Sequence, residues 1–543
     1  MIKDTIKRQR ISRIYPNNPR NISIHEINSK QHPLNVKPSG NSFITTPDQL
    51  EQKKQLLGDF FIFQDELIML ILSYLDIKSL LNLSHTSRIL YAFIYDEELW
   101  KNKYIELGIE KPWHGSWRNT VLGISQDASL QIPNNLLCSD LLYRPFQNSQ
   151  IDYHKIFKNL INEEEMYHKH SINGELGDLP PGRIDRIQNM TMEEFNSHYH
   201  NLPFILTTGE WPSWTFEELF TRFPNVQFRQ EAVSWDLTKY SQYLKQNKDE
   251  NPLYLFDCNS EAMKLLKKEY SPPSIFTEDY FKVLGICRPF FSWLIMGSQR
   301  SGSTFHKDPN STSAWNAAIQ GKKLWIMLPS NITPPGVSTD YEESEVTSPI
   351  GIAEWVISGF YNDSTRIPEC KIGITFPGET MYVPSGWWHS VINLDDSIAL
   401  TQNFVPKVKL PNVLNFLKNK PKQISGFKLK NVKECLDEVV KESNNEILKA
   451  YVEKFNGLTI DVNEDCGEIK NLPELPVFEL FKQLMINNGY EDELNDAIEI
   501  MNRIEGRNYA NENGKSKKWE KLTEVESTSA FSFNFDEESS DEE

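Results

Sequence analysis

Cysteine, long apolar runs and positive charge are all scarce in this chain of 543 residues. The six cysteines are scattered, and no two of them form a Cys-x-x-Cys pair. This spacing argues against a disulfide framework or a zinc site and for a reducing compartment. The densest apolar stretch, Ile68 to Leu75, is far shorter than the about 20 residues of a membrane-spanning helix. The polar, basic N-terminus does not have the pattern of a secretory signal. We therefore expect a protein that is neither secreted nor inserted in a membrane.

The charge balance is acidic, with 57 Lys and Arg against 75 Asp and Glu and a formal net charge of −18. An excess of this size disfavours direct nucleic-acid binding by the whole chain and suits a basic protein partner. The length and the 39% hydrophobic content are sufficient for two or three domains with real cores.

One histidine motif stands out among the 11 histidines. His306 alone has a carboxylate two residues on, Asp308. On a β-strand, residues two apart point to the same side of the sheet, so we expect this pair to share a face. His389 ends a strand-like run from Phe376 and completes a set of two histidines and one carboxylate. Such a facial set binds Fe(II) and leaves the opposite face open for a co-substrate and O₂.

Two other histidine pairs have a spacing that would suit a metal. His168 and His170 form the first, and His198 and His200 form the second. Both lie in glutamate-rich sequence with helical character, where residues two apart point in different directions. We interpret them as solvated surface histidines.

The sequence around His306 and His389 resembles the JmjC oxygenases over about Ile184 to Val405. The segments that carry the resemblance are Ser301–Phe305, Thr312–Asn316, Gly321–Trp325, Val383–His389 and Asn393–Asp395. Within that family it is most similar to the branch of bifunctional arginine demethylases and lysyl hydroxylases, the phosphatidylserine-receptor-like proteins. The resemblance implies an α+β protein whose central domain is a double-stranded β-helix of the cupin or jelly-roll type.

The resemblance also assigns roles to individual positions. His306, Asp308 and His389 match the Fe(II) ligands. Lys323 matches the lysine that binds the distal carboxylate of 2-oxoglutarate, an arrangement in which a charge-assisted hydrogen bond is strong. Lys322 falls on the opposite face of the same strand, so we expect it to point outward.

Further co-substrate and pocket residues follow from the same match. Hydroxyl and amide groups that face the co-substrate are implied at Tyr254, Ser303, Thr401, Asn316 and Asn403. The alternative for these five is that they are ordinary core groups bonded to the backbone. Trp293 matches an aromatic of the pocket wall, but tryptophan is also a common core residue.

The function implied is that of an Fe(II)- and 2-oxoglutarate-dependent dioxygenase acting on protein side chains, by lysyl hydroxylation or by arginine or histone demethylation. The two reactions differ only in the carbon presented, and the sequence does not choose between them. We expect lysine ahead of methyl-arginine. Lys307, in place of an apolar residue of the animal relative, should point away from the metal. The basic segments that flank the domain of the animal relative are absent here. The resemblance therefore carries over the chemistry of that relative but not its substrate.

A second resemblance lies near the N-terminus. Apolar residues at Leu67, Ile71 and Leu75 have helical spacing, and three short helices are predicted over residues 57–104. The segment resembles an F-box without its usual leading Leu-Pro, which implies docking on the Skp-type adaptor of cullin–RING ubiquitin ligases. We expect the contact face to contain Leu67, Ile71, Leu75 and Leu80. The alternatives are a helical unit that packs only on its own chain, and a non-enzymatic ubiquitin-ligase receptor that uses the barrel for recognition.

The predicted organisation is a series of six segments. They are a disordered basic segment (1–55), the F-box (57–104), a linker with helices (105–180), the JmjC domain (181–410), a C-terminal helical region (411–510) and a disordered acidic tail (511–543). The helical region either wraps the barrel or forms a homodimer seam. Lys7 to Arg10 is a short basic run that favours the nucleus over the cytoplasm.

Overall fold

The computed structural model describes residues 51–125, 151–456 and 475–503, apart from gaps at 52–53, 56, 64, 109, 248, 250, 341–342, 344–345, 348–350, 358 and 444. The predictions for residues 1–50 and for the acidic tail lie outside the described residues. Helical residues occur at 51, 54 and 55, slightly before the predicted end of the disordered segment.

The F-box unit contains four helices in the described residues 65–107, not the three that we predicted. They are α1 (Asp65–Ser73), α2 (Ile77–Ser84), α3 (Arg88–Ile94) and α4 (Glu97–Leu107). The side chains of Asp76, Ser87 and Asp96 each accept a hydrogen bond from a backbone N–H in the first turn of the following helix. These N-caps satisfy amides that a helix leaves unbonded, so each one starts a new helix. Gly108 ends α4 in the left-handed conformation, with φ of 57°.

The apolar face of α1 differs from the predicted one. Ile68 and Leu72 are buried in the unit's own core, as is Leu80 of α2 at 0% exposure. Leu67, Leu70 and Tyr74 are instead exposed, at 48%, 51% and 81%. The prediction that Leu80 belongs to a docking face is therefore wrong, because the small unit uses this residue to close its own core. Ile71 and Leu75 are partly buried.

The F-box unit and the barrel share one continuous apolar core. Helix α5 (Trp117–Leu122) lies between them, within the segment predicted as a linker. Trp117 is fully buried, and its Nε1 donates to the carboxylate of Asp249 at 3.0 Å. Its ring lies 5.5 Å from that of Trp235, and Tyr104 of α4 lies 6.0 Å from Trp235. The boundary between the units is thus a packed aromatic interface.

The described strands form two main sheets and one small hairpin. The nine-stranded sheet has the order β1-β2-β13-β8-β15-β6-β5-β3-β4, the four-stranded sheet has the order β12-β9-β14-β7, and β10 pairs with β11. The strands are β1 (Asp185–Ile187), β2 (Phe204–Leu206), β3 (Gln227–Gln230), β4 (Val233–Asp236), β5 (Leu255–Asp257), β6 (Ser292–Gly297), β7 (Gly302–His306), β8 (Ser313–Gln320), β9 (Lys323–Leu328), β10 (Ser338–Thr339), β11 (Val346–Thr347), β12 (Lys371–Thr375), β13 (Thr380–Val383), β14 (Trp388–Asn393) and β15 (Ser397–Phe404).

Eight of these strands form the double-stranded β-helix. From β6 to β9 and from β12 to β15 the chain passes between the two sheets, placing β6, β8, β13 and β15 in one and β7, β9, β12 and β14 in the other. Strands β8, β9, β13 and β14 are buried almost throughout, because both of their faces are covered. The predicted jelly-roll fold and α+β class are confirmed.

Helices before and between the strands cover the barrel. They are α6 (Tyr153–Ile156), α7 (Lys158–Ile172), α8 (Met192–Ser197), α9 (Phe216–Arg222), α10 (Leu237–Gln246), α11 (Glu261–Leu266), α12 (Ile352–Ile357) and α13 (Phe360–Ser364). Helix α7 is tied to the barrel by the buried Arg186, which lies 2.7 Å from Glu164 and 3.2 Å from Glu379. Breaking a buried ion pair of this kind leaves an uncompensated charge, so the contact fixes α7 in place.

His168 belongs to this buried network, and its prediction as a solvated surface residue is wrong. Its Nδ1 lies 2.8 Å from Glu379, and its ring stacks on Phe376 at 4.6 Å. The glutamate partner is 211 residues away in the sequence, so local spacing carried no sign of it. His170 and His198 are exposed, and His200 is partly buried.

The C-terminal helical region packs on its own barrel. It contains α14 (Leu410–Asn419), α15 (Leu429–Glu442), α16 (Glu446–Asn456), α17 (Val477–Asn487) and a helix over residues 491–503. Their apolar faces share a core with Tyr280, Phe281 and Leu284 of a 3-10 turn that precedes β6. The homodimer seam stays a prediction. Within the described residues, no helix is both long enough and apolar enough to cross a membrane.

Candidate metal centre and co-substrate pocket

His306 and His389 are brought together by the pairing of two strands. His306 is the last residue of β7, and His389 is the second residue of β14. The strands run antiparallel, and the two histidines are direct partners in the register. Side chains of directly opposite residues lie on the same face, so both rings point to one place.

Two details of the predicted geometry are wrong. Asp308 lies beyond the end of β7, in extended backbone that precedes a short 3-10 turn, and not on the strand itself. The run from Phe376 to His389 is not a single strand, because β13 ends at Val383 and a turn over residues 384–387 precedes β14. His389 therefore lies near the start of a strand and does not end one.

The three side chains still converge. One potential ligand atom from each of His306, Asp308 and His389 lies within 4.8 Å of the other two. The two imidazole centroids are 4.1 Å apart. Nδ1 of His306 lies 2.8 Å from the carbonyl of Thr304, and Nδ1 of His389 lies 3.1 Å from the carbonyl of Trp387. Since a carbonyl only accepts, each Nδ1 carries the proton and each Nε2 keeps its lone pair for a metal.

Burial favours the uncharged form of both His389 and Asp308. It lowers the pKa of His389 well below its ordinary value, and the neighbouring His306 acts in the same direction, so the ring is neutral. Burial raises the pKa of Asp308. The neighbouring His306 and a hydrogen bond from Asn403 lower the same pKa. Oδ2 of Asp308 is buried without a hydrogen-bond partner. A carboxylate oxygen left unbonded beside two imidazole lone pairs suits Fe(II), which accepts this mixed donor set.

Lys323 lies at the start of β9 with only 1% of its surface exposed. Its Nζ donates to the hydroxyl of Tyr254 at 2.7 Å. In the described part of the chain, no carboxylate forms an ion pair with this lysine. A buried cation without an anionic partner is costly, and a bound carboxylate would remove that cost. Lys322 instead forms an ion pair with Glu165 at 3.1 Å, away from the pocket.

The remaining predicted pocket residues differ in whether their polar atoms already form hydrogen bonds within the protein. Oδ1 of Asn316 is buried without a partner, so it can still accept. Thr401 donates to the carbonyl of Trp315 at 2.7 Å, and Asn403 donates to the hydroxyl of Thr312 at 2.9 Å. These last two bonds agree with the alternative of core polar groups.

Three further residues were given a position by the sequence: Ser303 and Trp293 in the pocket, and Lys307 away from the metal. Ser303 lines a cavity that also contains His306. Trp293 is half-buried and packs against a small cluster that contains Tyr254. Lys307 points away from the metal ligands, pairing with Glu343 at 2.6 Å and lying 4.5 Å from the ring of Trp388.

The cavity beside His306 has a volume of about 390 Å³. The prediction from sequence missed several of its lining residues. The full lining is Glu231, Asn251, Pro252, Gly302, Ser303, Thr304, His306 and Ile352. Glu231 comes from a hairpin tip far from the metal motif in sequence, so no local pattern marked it.

Comparisons with known proteins agree with this geometry. Residues 293–404 match the model of the JmjC domain, described as a hydroxylase, and residues 65–106 match an F-box-like model. The chain is 33% identical over 465 residues to the arginine-specific demethylase JMJ22 of Arabidopsis thaliana, covering 82% of this chain and 86% of the relative. It is 32% identical over 390 residues to the lysine-specific demethylase JMJ21 of the same plant, covering 67% and 39%. It is 35% identical over 254 residues to the bifunctional arginine demethylase and lysyl-hydroxylase psr-1 of Caenorhabditis elegans, covering 42% and 62%.

The double-stranded β-helix and its converging histidines and carboxylate define a non-haem iron oxygenase of the cupin fold. The chain belongs to the JmjC family and carries an F-box-like unit before its oxygenase domain. It is an enzyme whose cofactors are Fe(II) and 2-oxoglutarate, as the sequence predicted.

Proposed function

We propose that the enzyme oxidises a carbon atom of a basic protein side chain, hydroxylating lysine or removing a methyl group from arginine. Two observations carry the proposal: the convergence of His306, Asp308 and His389, and, in the described part of the chain, a buried Lys323 without an anionic partner. A receptor that used the barrel only for recognition would gain nothing from a buried Lys323 that has no carboxylate partner among the described residues. The acidic chain and the names of the relatives support a basic protein as the substrate.

Each residue of the site has a defined task in this proposal. His306, Asp308 and His389 hold the metal through two imidazole nitrogens and one carboxylate oxygen. Lys323 and Tyr254 bind the distal carboxylate of the co-substrate. When bound, Fe(II) couples O₂ and the oxidative decarboxylation of 2-oxoglutarate, which yields succinate and CO₂, to hydroxylation of a substrate C–H bond. The burial of His389 and Lys323 keeps water away from that side of the site.

The two candidate reactions give different products. Hydroxylation of a lysine side-chain carbon yields a stable alcohol. Hydroxylation of an N-methyl group yields a carbinolamine, which loses formaldehyde. The same protein groups serve both reactions, so the carbon that the substrate pocket presents decides between them.

A direct test uses the full chain with Fe(II), 2-oxoglutarate and two peptide sets, one rich in lysine and one containing methyl-arginine. We expect peptide-dependent succinate formation with oxidation of a basic residue. Mass spectrometry and a formaldehyde assay separate the reactions: one added oxygen on lysine without formaldehyde identifies hydroxylation, and formaldehyde with loss of a methyl group identifies demethylation. A chain that oxidises neither set would contradict the proposal. Lysine ahead of methyl-arginine stays a prediction.

The F-box-like unit is proposed to dock on a Skp-type adaptor through exposed apolar residues of α1 and of the turn that follows it. Leu67, Leu70 and Tyr74 have the i, i+3, i+7 spacing of a helix face that inserts into an apolar groove. Ile62, 78% exposed, comes just before α1 and extends the apolar surface. Exposed apolar side chains in a row of this kind mark interaction sites more often than scattered single ones do.

Changing Leu70 or Tyr74 to aspartate should abolish co-purification with the adaptor, because a charge would enter an apolar contact. Turnover of 2-oxoglutarate should stay unchanged, since neither residue lines the cavity. Leu107→Asp is the matched control, because Leu107 is also 48% exposed but lies on α4. Adaptor binding that survives both α1 changes would rule out this face.

The nucleus is the proposed compartment. The short basic run from Lys7 to Arg10 supports it. Cell fractionation of the full chain, compared with a variant that carries alanine at Lys7, Arg8 and Arg10, tests the proposal; equal distribution of both proteins would contradict it.

A further inference from the structure

The cavity beside the metal centre contains a carboxylate that the proposed chemistry does not use. Glu231 lines the same space as His306, a ligand in the proposed metal centre. The other lining residues are the neutral polar Asn251, Ser303 and Thr304, together with Gly302, Pro252 and Ile352. A cavity that combines two apolar side chains, several neutral polar groups and one acid fits an aliphatic side chain that ends in a positive charge.

Glu231 is held in an unusual backbone conformation. It follows β3 at the tip of the β3–β4 hairpin and has φ of 50°, in the left-handed region that a residue with a Cβ rarely adopts. The neighbouring Gln230 fixes the hairpin from within: its Oε1 accepts from the N–H of Trp235 at 3.0 Å, and its Nε2 donates to the Trp235 carbonyl at 3.2 Å. Strained backbone of this kind occurs where the surrounding structure imposes it, and it is concentrated at functional sites.

The carboxylate of Glu231 is only partly engaged by the protein. Oε1 accepts one long hydrogen bond, 3.3 Å, from the N–H of Tyr254. Among the described residues, no ion pair within 4.0 Å includes Glu231. The surface of Glu231 is exposed to solvent, but protein atoms surround its carboxylate closely. This partial desolvation raises the pKa of Glu231, and the positive charge of Lys101 on α4 lowers it. A carboxylate in these surroundings gains from a cation that brings its own hydrogen-bond donors.

We propose that Glu231 binds the positive charge of the substrate side chain, the ammonium of lysine or the guanidinium of a methylated arginine. The inference rests on the proposed function and adds the group that selects a basic substrate. With its charge on Glu231, an extended side chain in this cavity lies beside His306 and the proposed metal centre. The same backbone N–H that orients Glu231 belongs to Tyr254, whose hydroxyl contacts Lys323, so the substrate and co-substrate sites meet at one residue.

Equilibrium binding tests the role directly. Fluorescently labelled peptides with a central lysine, monomethyl-arginine or norleucine are titrated against the full chain and against Glu231→Gln, which removes the charge and keeps the shape. We expect the variant to bind the two basic peptides about ten- to a hundredfold more weakly, the range expected when a charged hydrogen bond is lost. Norleucine has no charge, so its weak binding should be equal in both proteins.

Two further variants separate recognition from structural damage. Glu231→Asn should lose the same affinity while keeping the fold, because asparagine tolerates the left-handed conformation well. Glu261→Gln is the control, since Glu261 is exposed on α11 and pairs with Lys264 outside the cavity. The concentration of 2-oxoglutarate needed for half-maximal turnover should be the same in all four proteins.

Two results would overturn the assignment. One is a Glu231→Gln protein that binds the basic peptides as tightly as the unchanged chain does. The other is an equal loss of 2-oxoglutarate affinity, which would mean that Glu231 only supports Tyr254. Failure of the proposed function is distinguishable, because it would appear as absent peptide oxidation by the unchanged chain while the binding measurements still report on Glu231.

Discussion

Replacing Asp308 or His306 by alanine should abolish succinate formation while leaving the fold intact. Loss of a residue that only orients a metal ligand typically lowers metal affinity or activity about 10–100-fold, so loss of a ligand should exceed that range. We expect the His306 change to be the more severe if a water molecule partly replaces the lost carboxylate. Folding should not suffer, because Oδ2 of Asp308 is a buried oxygen that forms no hydrogen bond with the protein.

The measurement combines turnover with metal content. The proteins are stripped with a chelator, resupplied with Fe(II), and compared for bound iron, succinate formation and thermal unfolding. His170→Ala is the control, because His170 is exposed and lies outside the site. Normal turnover by Asp308→Ala after this treatment would refute the metal assignment.

Lys323→Ala should raise the 2-oxoglutarate concentration needed for half-maximal turnover, and Lys322→Ala should not. Removing one partner of a buried charge pair costs about 2–5 kcal/mol, which corresponds to an affinity loss of about 30-fold or more. Lys323 is 1% exposed and contacts Tyr254, whereas Lys322 is partly exposed and pairs with Glu165.

The two lysines are adjacent in the sequence and have the same charge, so the pair is its own control. A Michaelis analysis with 2-oxoglutarate as the varied substrate gives the comparison. If both changes raise the required concentration equally, the difference in strand face does not decide co-substrate binding, and the role assigned to Lys323 is wrong.

The metal motif shows what the sequence could predict. The spacing marked His306 and Asp308 as a candidate pair, and the resemblance to the JmjC oxygenases then selected the full set with His389, the set that a facial metal site requires. The argument from strand alternation was less accurate, since Asp308 lies beyond the strand. The break before His389 was readable in principle: Pro384 and Gly386 are turn residues, and Gly386 has φ of 76°.

Contacts between segments that are distant in the sequence could not be predicted from local patterns. Nothing local connects His168 with Glu379, or places Glu231 in a cavity with His306. The helix count of the F-box unit failed for a different reason. Asp76, Ser87 and Asp96 are strong N-cap residues, and counting them would have given the four helices over residues 65–107 that the structure contains.

The aromatic interface around Trp117 and Trp235 sets the geometry of any larger assembly. Within the described residues, this interface packs the F-box-like unit directly against the barrel, so we expect the two to move together. A protein seated at the barrel mouth would therefore be carried at one fixed distance and angle from whatever binds α1. An isolated barrel would expose the ring of Trp235 and leave Asp249 without its bond from Trp117, so it would be prone to aggregate. We therefore expect the oxygenase domain and the F-box-like unit to unfold and to move as one body.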